Sequence, residues 1–113
     1  MKYFRIEEFN CQETGNNEMN PDFLEKVDEL RGRCGFPLTV TSGYRDPSHS
    51  IEVLKNNPGT HTQGIAVDLR VQSANHRHIL LTNAFEMGFT GIGIAQTFIH
   101  VDTRDSIPVV WTY

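Results

Sequence analysis

The sequence predicts an α+β fold in which a small antiparallel sheet packs with two main helices. Two stretches carry apolar residues at helical spacing, and several shorter runs alternate apolar and polar residues with the period of two that half-buried strands show. At 113 residues the chain can bury one hydrophobic core, so we expect a single domain that spans residues 1–113.

The first predicted helix begins at Asn20-Pro21, with Asn20 as N-cap and Pro21 in the first helical position, and it runs up to Gly35. The second begins after a capping Ser73 and runs to about Met87, with Gly88 at its end. In both, the apolar stripe is interpreted as core: Phe23, Leu24, Val27, Leu30 and Cys34 in the first, and Ile79, Leu80, Ala84 and Met87 in the second.

Four runs are predicted to be strands: Leu38–Thr41, Gly64–Val71, Thr97–Thr103 and the tail Ile107–Tyr113, which we expect at an edge of the sheet. Residues 46–60 are interpreted as a loop with one helical turn, because they contain Asp46-Pro47 and the turn signal Asn56-Asn57-Pro58-Gly59. Gly91-Ile92-Gly93 is interpreted as a glycine-rich turn. No Lys-Ser/Thr follows it, so it is not a phosphate-binding loop.

Two of these strands place chemically active side chains on the face opposite their apolar residues. Asp68 lies on the polar face of Gly64–Val71, and His100 lies on that of Thr97–Thr103. If the strands are neighbours, Asp68 and His100 converge, and His61 can join them from the preceding loop. Two imidazoles and a carboxylate suit one zinc ion with a fourth position open for water. The same pattern also fits solvated surface residues.

The motifs of this chain resemble those of the zinc D-alanyl-D-alanine peptidases, the M15 peptidases. The resemblance rests on His61, Gly64, Ala66 and Asp68, on the later His100-Val101-Asp102, on Thr41-Ser42-Gly43-Tyr44-Arg45, and on Gly88–Ile94. It covers nearly the whole chain, including Tyr3-Phe4 and Glu7-Glu8-Phe9. The family includes bacterial murein carboxypeptidases and endopeptidases and many phage endolysins.

The resemblance implies a hedgehog/D-Ala-D-Ala peptidase-like fold and zinc-dependent hydrolysis of peptide bonds in peptidoglycan, in stem or cross-link peptides. It implies one Zn²⁺ ion held by His61, Asp68 and His100. Arg45 would anchor a substrate carboxylate or carbonyl, which suits the planar fork of a guanidinium. Ser42 and Tyr44, from the same motif, are expected to help bind the substrate.

The chain departs from the family at the general base. Many members have an acid three residues before the last ligand, or a histidine two before it, where this sequence has Thr97 and Phe98. Asp102 lies on the same strand face as His100 and is the remaining candidate for the base. Its alternative role is to orient a ligand histidine or to pair with Arg45 or Arg104.

A second hypothesis follows from the missing acid: a catalytically inactive, zinc-stabilised domain that binds the cell wall or forms part of a virion.

The predicted site does not include the other three histidines, because surface and cap histidines are common: these are His49, His76 and His78. Trp111 fits either a substrate groove or core packing.

The composition of the chain limits the kinds of partner that we expect it to bind. The net charge is −4, and no Lys/Arg cluster interleaved with aromatic residues is present, so a nucleic-acid surface is not expected. No run of apolar residues reaches membrane-spanning length, and the N-terminus lacks the apolar core of a signal peptide. We expect a monomer made in the cytoplasm that reaches the wall through a holin or on a virion, with Cys11 and Cys34 as reduced thiols.

Overall fold

The computed structural model describes residues 1–55 and 59–113. The first three residues of the predicted Asn56–Gly59 turn therefore lie outside the described residues. The chain forms helices α1 (Pro21–Cys34) and α2 (Ala74–Glu86) and strands β1 (Thr39–Ser42), β2 (Ala66–Arg70), β3 (Gly91–Ile94), β4 (Phe98–Asp102) and β5 (Val109–Thr112). Short 3₁₀ turns cover Ile6–Phe9 and Glu52–Leu54, the second within the predicted loop.

Both helices begin and end at the residues that the sequence indicates. The Asn20 side chain accepts a hydrogen bond from the Phe23 backbone N–H at 3.0 Å, and Ser73 caps α2 in the same way through His76. Gly35 follows α1 with a φ of 76°, in the left-handed region that glycine adopts without strain. The predicted helices are thereby confirmed.

The five strands form one sheet in the order β1-β2-β4-β3-β5. Neighbouring strands are antiparallel except for β3 and β5, which pair in parallel. The α+β prediction is confirmed, and the tail strand does lie at an edge, but the sheet is mostly rather than wholly antiparallel. The core lies between the apolar face of the sheet and the two helices, and Val67, Leu69, Ile99 and Val101 are buried there with residues of both helices.

The interpretation of Gly91-Ile92-Gly93 as a turn is wrong, since these residues belong to strand β3. Glycine is needed there because neighbouring side chains cross the strand. A Cβ at Gly91 would lie under 3.0 Å from the Asp102 carboxylate, and one at Gly93 would lie 2.7 Å from the Trp111 ring. The glycines therefore make room for side chains from β4 and β5 on the polar face of the sheet.

Candidate metal centre

The sheet brings Asp68 and His100 together. They are directly opposed residues of the antiparallel pair β2 and β4, and their side chains share the face away from the helices. The Asp68 Oδ1 atom lies 3.1 Å from His100 Nδ1 and 3.3 Å from His61 Nε2. All three residues are buried, with exposed fractions of 4–6%. The structure thus joins the three side chains that the sequence suggested.

The loop after β1 fixes the orientation of His61. Its Nδ1–H donates a hydrogen bond to the Gly43 carbonyl at 2.8 Å, which leaves Nε2 facing Asp68. Gly43 lies against the backbone of Phe9, where a Cβ would lie only 2.5 Å from the Phe9 carbonyl oxygen. The glycine of the Ser-Gly-Tyr-Arg motif is therefore required by close packing, and its carbonyl selects the tautomer of His61.

His100 lies between two carboxylates. Its Nε2–H donates to Asp102 Oδ2 at 2.6 Å, while Nδ1 faces Asp68. Asp102 is fully buried and also accepts hydrogen bonds from Arg104, from Nη2 at 2.7 Å, from Nε at 3.0 Å and from the backbone N–H at 3.1 Å. Of the arginine partners considered for Asp102, the structure shows Arg104. Such a carboxylate–histidine contact is the arrangement that usually orients a metal-ligating imidazole.

The protonation of these groups follows from their contacts. Burial by itself would raise the pKa of Asp68, but hydrogen bonds from His100 and His61 hold it well below its usual range. The pKa of Asp102 is lowered in the same way, against burial, by His100 and Arg104. Both carboxylates are therefore ionised at neutral pH, as metal coordination by Asp68 would require.

The donor set fits zinc. His61 Nε2, Asp68 Oδ1 and His100 Nδ1 all lie within 4.8 Å of one another. Ligand atoms of a tetrahedral zinc site lie about 3.3 Å apart, because each bond is about 2.0–2.1 Å long. Two of the three separations, 3.3 and 3.1 Å, are close to this value, and nitrogen and carboxylate oxygen are atoms that zinc commonly binds.

The three donors open into a cavity of about 660 Å³. Among the described residues, its lining includes three cations, one further carboxylate and three aromatic side chains: Arg45, Lys55, Arg104, Asp105, Phe98, Trp111 and Tyr113. Arg45 lies 3.7 Å from Glu52 and 3.8 Å from Asp68. These are ion-pair distances rather than hydrogen bonds, so the guanidinium can still reach an oxygen in the cavity.

Tyr44 is not among the described residues that line the cavity, so the substrate contact predicted for it stays a prediction. Its side chain is 2% exposed, and its hydroxyl donates a hydrogen bond to Glu18 at 2.8 Å. Ser42 is opposite Asp68 at the end of β1 but is not among the described residues that line the cavity. The substrate contact predicted for Ser42 stays a prediction.

Sequence reasoning missed Glu52, a buried carboxylate behind Arg45. Its oxygens accept hydrogen bonds from the Thr62 hydroxyl at 2.6 Å and the Gly59 backbone N–H at 3.2 Å, and Lys55 Nζ lies 2.8 Å away. These contacts together hold the pKa of Glu52 below its usual range although burial would raise it. Its neighbours Ile51, Val53 and Leu54 are exposed. Because the Glu52 carboxylate is buried while the neighbouring apolar side chains are exposed, the hydropathy of this segment does not indicate that Glu52 lies behind Arg45.

The three histidines left out of the site lie in other surroundings. His49 pairs with Glu13 at 3.2 Å, His76 stacks on Phe36 with ring centroids 3.7 Å apart, and His78 is exposed. Both cysteines are buried and free, as expected for reduced thiols.

Comparison with models of known protein families shows which family the chain matches. The sequence model of the family described as Peptidase M15 matches residues 2–102, which include every residue of the His-Asp-His cluster. Comparison with curated proteins found no match. Across the part of the chain that the structure describes, none of the helices is both long and apolar enough to cross a membrane.

Proposed function

Because the chain belongs to the peptidase M15 family, we propose that it is a zinc-dependent peptidase that hydrolyses peptide bonds of bacterial peptidoglycan. Membership of the family suggests a metallopeptidase, and the buried His-Asp-His cluster is a site that could bind the metal. The observation that supports the proposal most directly is this convergence of three donor atoms on the wall of an open cavity.

In this proposal His61, Asp68 and His100 hold one zinc ion through Nε2, Oδ1 and Nδ1. When bound, zinc supplies a Lewis acid that polarises a carbonyl group and activates water near neutral pH. The protein contributes the fixed orientation of the ligands. Gly43 holds His61, and Asp102 holds His100, each through the ring nitrogen that faces away from the cluster.

Of the two roles open to Asp102, its contacts support positioning. The side chain is fully buried, and both of its oxygens accept hydrogen bonds from Arg104 or His100. A general base must reach a water molecule beside the substrate, and such a carboxylate is poorly placed to do so. Asp105 is the exposed carboxylate on the cavity lining, so Asp105→Asn is the variant that tests for a base there.

Arg45 is proposed to bind a carbonyl or carboxylate oxygen of the substrate. Its side chain is 17% exposed, lines the cavity and is kept beside the ligand cluster by Glu52 and Asp68. A guanidinium held between two carboxylates keeps a defined direction, which suits it to fix the peptide next to the metal. The substrates proposed from the family are stem or cross-link peptides, reached after holin release or from a virion.

The proposal is tested by digesting purified peptidoglycan with the zinc-loaded protein, with and without a chelator, and reading the products by mass. Chelator-sensitive cleavage is expected, and the product masses identify the bond. His100→Ala should lose zinc and activity together. Exposed His78, on helix α2, gives the matched control His78→Ala, which should keep both. Full zinc affinity in His100→Ala would contradict the ligand assignment.

A second candidate function has an observation in its favour. Thr97 and Phe98 stand where the family often has an acid or a histidine, and Asp102 is enclosed by Arg104 and His100. A protein without a proton acceptor would be a zinc-stabilised wall-binding or virion domain. Zinc binding together with retention on peptidoglycan, but without cleavage of several wall types, would favour this alternative.

A further inference from the structure

One row of residues crosses all five strands at the metal centre. The strand register places Ser42 opposite Asp68, Asp68 opposite His100, His100 opposite Gly93 and Gly93 opposite Trp111. Residues opposed in register share a face of the sheet. Trp111 therefore lies on the metal-site face, two strands away from His100 with a glycine between them.

The missing side chain at Gly93 brings Trp111 next to the site. Three atoms of the indole ring lie within 2.7–2.9 Å of where a Cβ of residue 93 would be, so the ring lies across strand β3. The ring centroids of Trp111 and His100 are 5.0 Å apart. The indole thus occupies the space that any larger residue at position 93 would fill.

Other contacts hold this ring in place. The Arg104 guanidinium lies over it at 4.9 Å from the centroid, and Arg104 is itself held by its paired hydrogen bonds to Asp102. Tyr113 lies 6.4 Å from Trp111 and 5.2 Å from Phe98, measured between ring centroids. We call Phe98, Trp111 and Tyr113 the aromatic shelf. All three line the cavity, and none is fully buried.

Trp111 of the shelf lies at the opposite end of the row from Ser42, and Arg45 follows Ser42 along the chain after β1. Trp111 and Tyr113 also lie beyond residue 102, where the family match ends, so the match does not account for them. Because Asp102 pairs with Arg104, the aromatic face of Trp111 lies beside a balanced ion pair. Because Arg104 is already paired with Asp102, it offers little attraction for an ionic group, whereas a saturated, uncharged group would bury C–H surface against the rings.

We propose that the aromatic shelf is a subsite for a saturated, uncharged part of the substrate that flanks the scissile bond. This inference rests on the proposed peptidase function and extends it by giving the substrate a direction. The polar end of the substrate lies at Arg45, and its C–H-rich part lies on Trp111 and Tyr113. That part is either the ring of an amino sugar or an aliphatic side chain of the stem peptide.

The protein contains one tryptophan, so its fluorescence reports on the shelf without any need for turnover. The zinc-loaded protein is titrated with a stem peptide and with the same peptide carrying its amino sugar. We expect a saturable change in emission and protection of the indole from acrylamide quenching. If the sugar-bearing fragment alone protects Trp111, the group is the sugar, and equal protection by both fragments identifies a peptide side chain.

Variants test the same inference through affinity. Trp111→Ala should raise the KM or Kd of the protecting fragment roughly five- to tenfold, with bound zinc unchanged, because stacking contributes about 1 kcal/mol. Trp111→Phe should restore most of the affinity. The matched control is Val110→Ala, on the opposite face of the same strand and 52% exposed, which should behave like the wild type.

Two results would overturn the inference and are distinguishable. If fragments are bound or cleaved while Trp111 quenching stays unchanged and Trp111→Ala keeps wild-type affinity, the shelf is not a subsite, although the peptidase proposal survives. If no fragment is bound or cleaved, the proposed function fails, and the inference fails with it. Should Trp111→Ala not fold, Tyr113→Ala, at a residue 70% exposed, and the wild-type quenching measurement carry the test.

Discussion

Replacing Gly93 with alanine would place a methyl group against the Trp111 ring. The new Cβ would lie 2.7 Å from ring atoms Cε2 and Nε1 and 2.9 Å from Cζ2, whereas ordinary contact begins at 3.4 Å. Because three atoms of one rigid ring are too close, no rotation of a flexible end relieves the contact. The indole must therefore move as a body away from β3. The required movement is about 0.7 Å, which is the difference between the 3.4 Å of ordinary contact and the 2.7 Å found here.

The size of the effect follows from two opposing contributions. Overpacking of this kind costs about 1–3 kcal/mol, and the low end applies here because Trp111 lies on an edge strand and can move outward. Alanine in place of glycine gains about 0.4–1 kcal/mol by restricting the unfolded chain. Gly93 is not one of the described glycines with positive φ, so backbone strain adds nothing. We expect a net destabilisation of at most about 0.6 kcal/mol.

The assay is denaturant unfolding combined with Trp111 emission and zinc titration. Gly93→Ala should shift the emission and weaken fragment binding while zinc affinity stays within about twofold, because the ligand contacts of His61, Asp68 and His100 are left in place. In a Trp111→Ala background the clash is absent, so the same substitution should become neutral or stabilising. If Gly93→Ala is equally destabilising in both backgrounds, the ring is not what requires glycine.

Three other changes have defined outcomes. Gly91→Ala places a Cβ under 3.0 Å from the Asp102 carboxylate, and zinc affinity measured against a competing chelator should fall about 10- to 100-fold. Glu52→Gln removes the charge behind Arg45, and KM in the digestion assay should rise about tenfold, more than kcat falls. Burial alone would raise the pKa of Asp28, but its carboxylate accepts three backbone N–H hydrogen bonds that lower the pKa. The contribution of these bonds to stability is therefore present at neutral pH and is lost as the pH falls through the lowered pKa. Asp28→Asn should therefore destabilise the protein by about 1–3 kcal/mol at pH 7 and unfold with a weaker pH dependence below about pH 4.

Matched controls separate these effects from general loss of stability. Gly35→Ala introduces strain at a φ of 76° with nothing within 4 Å, so it should lower stability by about 1 kcal/mol and leave zinc affinity unchanged. Glu13→Gln changes an exposed carboxylate that bonds Ser50, and KM should stay at the wild-type value. Each of the three predictions has a result that would contradict it. For Gly91→Ala this is an unchanged zinc affinity, and for Glu52→Gln it is an unchanged KM. For Asp28→Asn it is a pH profile of stability that runs parallel to that of the wild type.

The two helices and strands β2 and β4 could be predicted because their determinants are local. Asn20 and Ser73 cap with their own side chains, and Gly35 ends a helix through its own backbone. Alternation likewise assigns Asp68 and His100 to polar faces, since it depends on successive residues of one strand. What alternation leaves undetermined is the partner strand, and the structure supplies it by placing β2 beside β4 with these two residues opposed.

The features that the sequence did not reveal depend on distant residues. Gly91 and Gly93 indicate a turn when read locally, but they are required by Asp102 and Trp111, which cross the strand from elsewhere in the chain. Tyr44 sits in a motif that suggests the active site, yet its hydroxyl finds Glu18, 26 residues away. Glu52 is buried through partners that no periodicity connects. In each case tertiary contacts override the local pattern.

The two carboxylates beside His100 illustrate how the same residue type acquires different chemistry. Asp102 faces Gly91, is covered completely and is held by the Arg104 fork, so its charge is neutralised inside the protein. Asp68 lies on the cavity wall with two imidazoles close to one oxygen, and its cation, Arg45, stays 3.8 Å from the other. An added divalent cation would be attracted to Asp68, because its carboxylate is ionised and the three candidate ligand residues line the cavity. In the proposed site, the sheet register therefore favours Asp68 as the coordinating group and Asp102 as the group that orients His100, although both lie on one face of adjacent strands.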